Sequence, residues 1–201
     1  MEGRIWFAEN PWPGGHAVTE VEWRGRIDAD GALWFDLRLR TADYDADPPT
    51  NPGAGDWGSP EVWRNHRRCT LGSSRVDCLR ADPFRLSAPQ TLTADPPASR
   101  DPLSPAFTVH LLGRDACADH TLTFVPTATG HSLTWTGALA LAHAGDEVLR
   151  HRFRAELHQL ALPRIALPPD TPTGSAPQWL ARVIDTPSRY VLADREFVPT
   201  S

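Results

Sequence analysis

Between Ala17 and Thr41 the hydrophobic and polar positions alternate in two runs that fit each other. In Val18–Ile27 the odd positions hold Val21, Trp23 and Ile27, and the even ones Glu20, Glu22, Arg24 and Arg26. This is the period of a strand with one wet face. After the turn-forming Asp28-Ala29-Asp30-Gly31, the odd positions of Leu33–Arg40 are again apolar and most even ones charged. Placing Ile27 opposite Leu33 fixes every other pair of a hairpin. Gly25 then meets Phe35, Trp23 meets Leu37 and Val21 meets Leu39 on the inner face. On the outer face Arg24 meets Asp36, Glu22 meets Arg38 and Glu20 meets Arg40, with Arg26 set over Trp34 as a cation-aromatic contact. Each exposed ion pair contributes only about 0 to 1 kcal/mol, so the charges select the register more than they stabilise it.

Weaker alternations follow the same logic. Gly3–Ala8 reads as a first strand, and Glu9–His16, with two prolines and two glycines, as a loop. Val62–Leu71 has a faint strand period, while prolines interrupt Cys78–Pro105. Phe107, Val109 and Leu111 alternate with polar residues, and a turn at 113–115 leads to Thr121–Val125, which predicts adjacent strands. A turn at 127–130 precedes a long strand carrying Leu133, Trp135, Leu139 and Leu141 on one face. Residues 147–160 fit both a helix capped by Asp146 and a strand. The strand is preferred, because a turn at 144–146 would set Leu141 against Leu149 and cover Gly137 with the ring of Phe153. Residues 162–177 read as a proline-rich connector. Pro177 then opens a short helix over 178–184 that presents Trp179, Leu180 and Val183. The expected fold is mainly β, an antiparallel β-sandwich or partly closed barrel of hairpins and meander, in one domain over 1–201 with 42–60 and 162–177 as long loops.

Composition narrows the chemistry. All 20 basic residues among the 201 are arginine. Without lysine there is no Schiff-base amine, no phosphate-loop lysine and no serine-lysine dyad. The absence of lysine, with scarce isoleucine and asparagine, points to a GC-rich, bacterial source. A net charge of -5 argues against nucleic acid and anionic membranes as partners. The first residues lack a secretory leader, and no apolar run approaches the roughly 20 residues of a membrane span, so a cytoplasmic protein is expected. Three cysteines, an odd number without CxxC spacing, are expected as thiols.

Candidate sites are few. Asp43, Asp45 and Asp47 alternate like the start of a calcium loop, but Pro48 and Ala54 occupy the positions where an EF-hand needs glycine and glutamate. His110, Asp115, Cys117, Asp119 and His120 form the densest set of metal-ligand types, with zinc the cofactor they would suit. Trp12 with His16, and Trp57 and Trp63 farther on, are loop aromatics suited to a sugar ring, a peptide or a partner surface. Arg150, Arg152 and Arg154 would line one strand face opposite Ala140, Ala138 and Thr136, a stripe able to meet carboxylates or phosphates. Ser59, Ser73 and Ser74 lack the GxSxG elbow of a nucleophile. These observations predict a non-catalytic protein that binds a protein partner through its sheet face or tryptophan loops. The alternative is a small enzyme, or a metal-binding or small-molecule-binding barrel, using the 110–120 turn.

Overall fold

The computed structural model describes residues 2–44, 68–74, 77–96, 98, 101 and 103–200. Its strands are β1 (Gly3–Phe7), β2 (His16–Ile27), β3 (Leu33–Thr41), β4 (Thr70–Ser73), β5 (Leu79–Arg80), β6 (Gln90–Ala94) and β7 (Phe107–His110). These continue as β8 (Arg114–Asp115), β9 (Cys117–Pro126), β10 (Gly130–Leu141), β11 (Asp146–Ala161), β12 (Arg164–Ala166), β13 (Tyr190–Ala193) and β14 (Glu196–Pro199). They build one open, curled, mostly antiparallel sheet, a half-barrel rather than a sandwich, with one short helix near the carboxyl end. The strand order is β6-β9-β10-β11-β1-β2-β3-β4-β7-β8, with β5 branching from β3 and β12 lying parallel to β2 and carrying β14 and then β13.

The β2–β3 hairpin has the register that its alternation predicts, from Ile27↔Leu33 to Glu20↔Arg40. Its outer charges behave differently from the expectation. Glu20 and Arg40 meet at 2.9 Å, whereas the Glu22/Arg38 and Arg24/Asp36 pairs face each other without closing an ion pair, as long exposed side chains gain little by doing so. Arg26 turns away from Trp34 to Asp77, and the cation over Trp34 is Arg80, 5.9 Å from the ring centroid. Asp28 holds the turn by accepting from Asp30 N, Ala32 N and Trp34 Nε1 at 3.0, 2.8 and 2.7 Å.

Residues 146–161 are a strand, and Gly137 does face Phe153. The far end of that hairpin departs from expectation: Leu141 pairs with Asp146, not Leu149, because a bulge lies between Leu139 and Leu141 and a 3-10 turn over Ala142–Ala144 closes the hairpin. Arg150 therefore has no partner in Ala140, although Arg152 and Arg154 do face Ala138 and Thr136. β7 and β9 are not ladder neighbours either. β7 pairs with β4 and β8, and β9 with β6 and β10. The chain crosses here from one edge of the curled sheet to the other, and side chains draw the edges together, with Cys117 Sγ donating to Phe107 O at 3.1 Å. Within the region read as Val62–Leu71, the described strand begins only at Thr70, and the 162–177 connector contains β12.

Alternate strand residues fill the concavity. Trp135, Phe35, Phe84, Phe107 and Phe124 are all under 2% exposed. Trp23 stacks on Phe124 at 5.3 Å and meets Phe35 edge-on at 5.1 Å. The helix α1 (Ala176–Val183) starts with proline in its first turn and buries Ala176, Leu180 and Val183, with Trp179 half-buried. Among the described residues no helix is long and apolar enough to cross a membrane.

Candidate functional site

The expected metal ligands are not brought together. His110 is exposed on β7, while Asp115 and Cys117 are buried. Asp115 Oδ1 accepts from Ala142 N at 3.1 Å. Asp119 bonds Arg152 at 2.7 Å. His120 is 1% exposed and its Nδ1 accepts from Trp135 Nε1 at 3.3 Å. Strand alternation sends Asp119 and His120 to opposite faces, and among the described residues no three His, Cys, Asp or Glu side chains gather as a metal site would need. Burial pushes the His120 imidazole down to about 4, only partly opposed by Asp119, and raises the Cys69 thiol far above its ordinary value. No disulfide joins Cys69, Cys78 and Cys117.

Trp12 is not an exposed platform. It is 2% exposed, with its ring 5.3 Å from His16 and 5.7 Å from Tyr44. Asn10 holds this corner: its Oδ1 accepts from Trp12 N and its Nδ2 donates to His16 Nε2, both at 3.1 Å. Tryptophan and histidine here serve as a loop staple, because together they satisfy the loop backbone and extend the core. Trp57 and Trp63 lie outside the described residues.

Trp6 is a half-buried tryptophan that lines a groove on the outer face. β1 sends Gly3, Ile5 and Phe7 inward and leaves Arg4 and Trp6 on the outer face. Arg4 Nη1 donates to the carbonyls of Gly14 and Gly15 at 2.7 and 3.1 Å, which ties the 10–15 loop to the strand. Gly15 has φ +70°, and a Cβ there would sit 2.7 Å from Trp6 Cδ1 and Nε1. Only glycine allows both the turn and the close approach of the indole. Trp6, half-buried and backed by this loop, forms one wall of a groove of about 620 Å³. Pro13 stands on the same side, Thr136 and Gly137 come from β10, and Arg152 and Arg154 from β11. The volume lies within the range of small-ligand sites.

Two of the three arginines expected as a stripe thus line the groove, each already carrying a counter-charge. Arg152 bonds Asp119 at 2.7 Å, and Arg154 bonds Glu156. Arg150 instead bonds Asp146 at 2.6 Å near the end of the hairpin, an interaction that helps hold the Asp146 carboxyl down to about 2. Glu9, which lines the groove, and Asp119, the partner of Arg152, both have positive φ, 65° and 57°, a conformation that concentrates at functional sites. Trp6 is legible as a strand residue whose alternation phase places an indole among polar neighbours. Its groove partners are invisible to local pattern, since β1, β10 and β11 meet only in the folded sheet.

A second cavity, of about 670 Å³, lies on the outer face of β2, between the hairpin and β12. It is lined by charges, among them Arg24, Arg26, Asp36, Arg164 and Glu196. Burial and the nearby Asp77 raise the Asp36 carboxyl above its ordinary value. Trp23 also borders this cavity, but that indole is 8% exposed and stacks inward on Phe124. Comparison with known proteins finds no matching family model, no matching curated protein and no matching solved structure.

Proposed function

We propose that this is a binding protein and that the Trp6 groove takes a saccharide ring. The half-barrel interior is filled by its own side chains, so contact is made on the outside, where the groove has the volume of one small ligand rather than the roughly 800 Å² patch per partner of a standard protein interface. An indole face accepts the apolar C–H side of a pyranose, and its large, stiff surface is held at small entropic cost. Around it, Arg152–Asp119 and Arg154–Glu156 set donors beside acceptors, the arrangement that neighbouring hydroxyls satisfy. Because both guanidiniums already carry counter-charges, the groove has no uncompensated cation among the described residues to draw a free anion.

The half-buried Trp6 beside two arginine-carboxylate pairs carries this reading. It is tested by tryptophan fluorescence against an array of hexopyranose mono- and oligosaccharides, with the Trp6→Ala variant as control. The expected result is a saccharide-dependent emission change in the wild type that the variant loses while keeping its circular dichroism spectrum. If no saccharide is retained, or if the variant responds like the wild type, the reading is wrong.

A further inference from the structure

Of the five Thr-x-Thr stretches in the sequence, three fall within strands, Thr91-Leu92-Thr93, Thr121-Leu122-Thr123 and Thr134-Trp135-Thr136; those at 127–129 and 171–173 do not. The fold brings these three strand copies into register on the adjacent strands β6, β9 and β10. Thr91 faces Thr123, which faces Thr134; Thr93 faces Thr121, which faces Thr136. Leu92, Leu122 and Trp135 between them are buried, so the six hydroxyl-bearing side chains occupy the outer face. The Thr91 and Thr123 hydroxyls meet at 3.0 Å.

These rows run into the groove. The row of Thr93, Thr121 and Thr136 continues to Arg154 on β11 and Trp6 on β1, and the other row continues to Glu156 and Arg4. With strands about 4.8 Å apart, five strands span about 19 Å, and the two rows lie about 7 Å from each other. Threonine is stiff at χ1, and a hydroxyl both donates and accepts. The face therefore offers two lines of fixed threonine hydroxyls, one leading past Arg154 to the Trp6 wall and the other to Glu156 and Arg4.

We infer that the ligand of the Trp6 groove is an extended oligosaccharide whose further rings cross β11, β10 and β9 toward β6 along the threonine rows. This rests on the saccharide reading of the groove and adds the length and direction of the chain. About four hexopyranose units fit the row, one ring for roughly each strand crossed. Hydroxyl-to-hydroxyl contacts are individually weak, and several together produce a graded gain with length.

The test is an array of hexopyranose oligomers of one to six units in each linkage, followed by calorimetric titration of the retained series. Affinity is expected to rise at least about ten-fold from one unit to four and then level off. Thr93→Val with Thr121→Val keeps the β-branched shape and is expected to flatten that rise, whereas Trp6→Ala is expected to abolish retention at every length. Equal affinity for one unit and four overturns the oligosaccharide inference and leaves the groove reading standing. A length dependence that survives the double valine variant also overturns the inference, and no retention of any saccharide overturns both.

Discussion

Acidification should destabilise this protein through His120 in a measurable and separable way. The ring is 1% exposed, lies 4.9 Å from Phe107 and 5.9 Å from Phe153, and accepts from Trp135 Nε1 through Nδ1. Its proton therefore sits on Nε2, which is buried with no hydrogen-bond partner among the described residues. Charging the imidazole would add a proton to Nδ1, turn the Trp135 contact into two opposed donors, and leave a cation out of water. With a native value of about 4 against an ordinary value near 6.5 in the unfolded chain, the unfolded state binds the extra proton between those limits. The contribution is fully present above about pH 6.5 and is lost as pH falls toward 4. At about 1.4 kcal/mol per pH unit the loss reaches about 2.5 kcal/mol by about pH 4.5, a large share of the roughly 5 to 15 kcal/mol that holds a typical domain together.

The assay is urea unfolding at a series of pH values from about 7.5 to about 4.5, on the wild type and on His120→Asn. Asparagine Oδ1 can replace Nδ1 as the acceptor for Trp135, and the cavity it leaves costs stability equally at every pH. Other groups, including the depressed His131, titrate in both proteins and cancel in the difference. The wild type should lose its advantage over the variant as pH falls. A difference that stays constant within about 0.5 kcal/mol would refute the assignment of His120 as a buried neutral imidazole.

Three further outcomes follow from the packing. Gly137→Ala places a Cβ 2.6 Å from Phe153 Cε1 and 2.9 Å from His120 Nδ1, and should lower the unfolding free energy by about 1 to 3 kcal/mol in denaturant titration. Asp28→Ala removes a carboxylate that holds three donors of the first hairpin turn and should cost about 1 to 3 kcal/mol, whereas Glu20→Ala, in an exposed pair, should cost under about 1 kcal/mol in the same melts. Cys69, Cys78 and Cys117, all buried, should resist a thiol reagent such as Ellman's in the native protein and react together once it is unfolded.

The parts of the fold legible in the sequence are those where a local period and a second constraint agree. In β2–β3 the apolar alternation is matched by charge order, and in β10–β11 Gly137 calls for the ring of Phe153; both registers are found near those residues. Where only a local period acts, as in β1 and the short helix, the element is found but its neighbours in the sheet are not legible. Nothing local tells that the chain leaves β8 for the opposite edge of the sheet, so β7 and β9 look like neighbours. Nor does anything local place a bulge before Leu141. The site shows the same division. Arg152 and Arg154 are legible as an outward stripe, but Trp12 and Trp6 exchange roles, because a loop tryptophan can fold back onto Tyr44 while a strand tryptophan can be left outside.

β1 is made first and sheltered last. It has only two residue pairs with its near neighbour β2, Arg4↔Ala17 and Ile5↔His16, but five with β11, starting from Gly3↔Leu157. The strand that secures it is thus synthesised about 150 residues later, and the closing of so long a loop is slow. During translation Ile5 and Phe7 must wait beside an incomplete sheet, exposed to chaperones and to misjoining with another nascent chain. Folding of this protein is for that reason a race between arrival of β11 and capture of β1. A circular permutant whose chain starts at β11, so that β11 to β14 precede β1, would have the partner strand already made when β1 is synthesised.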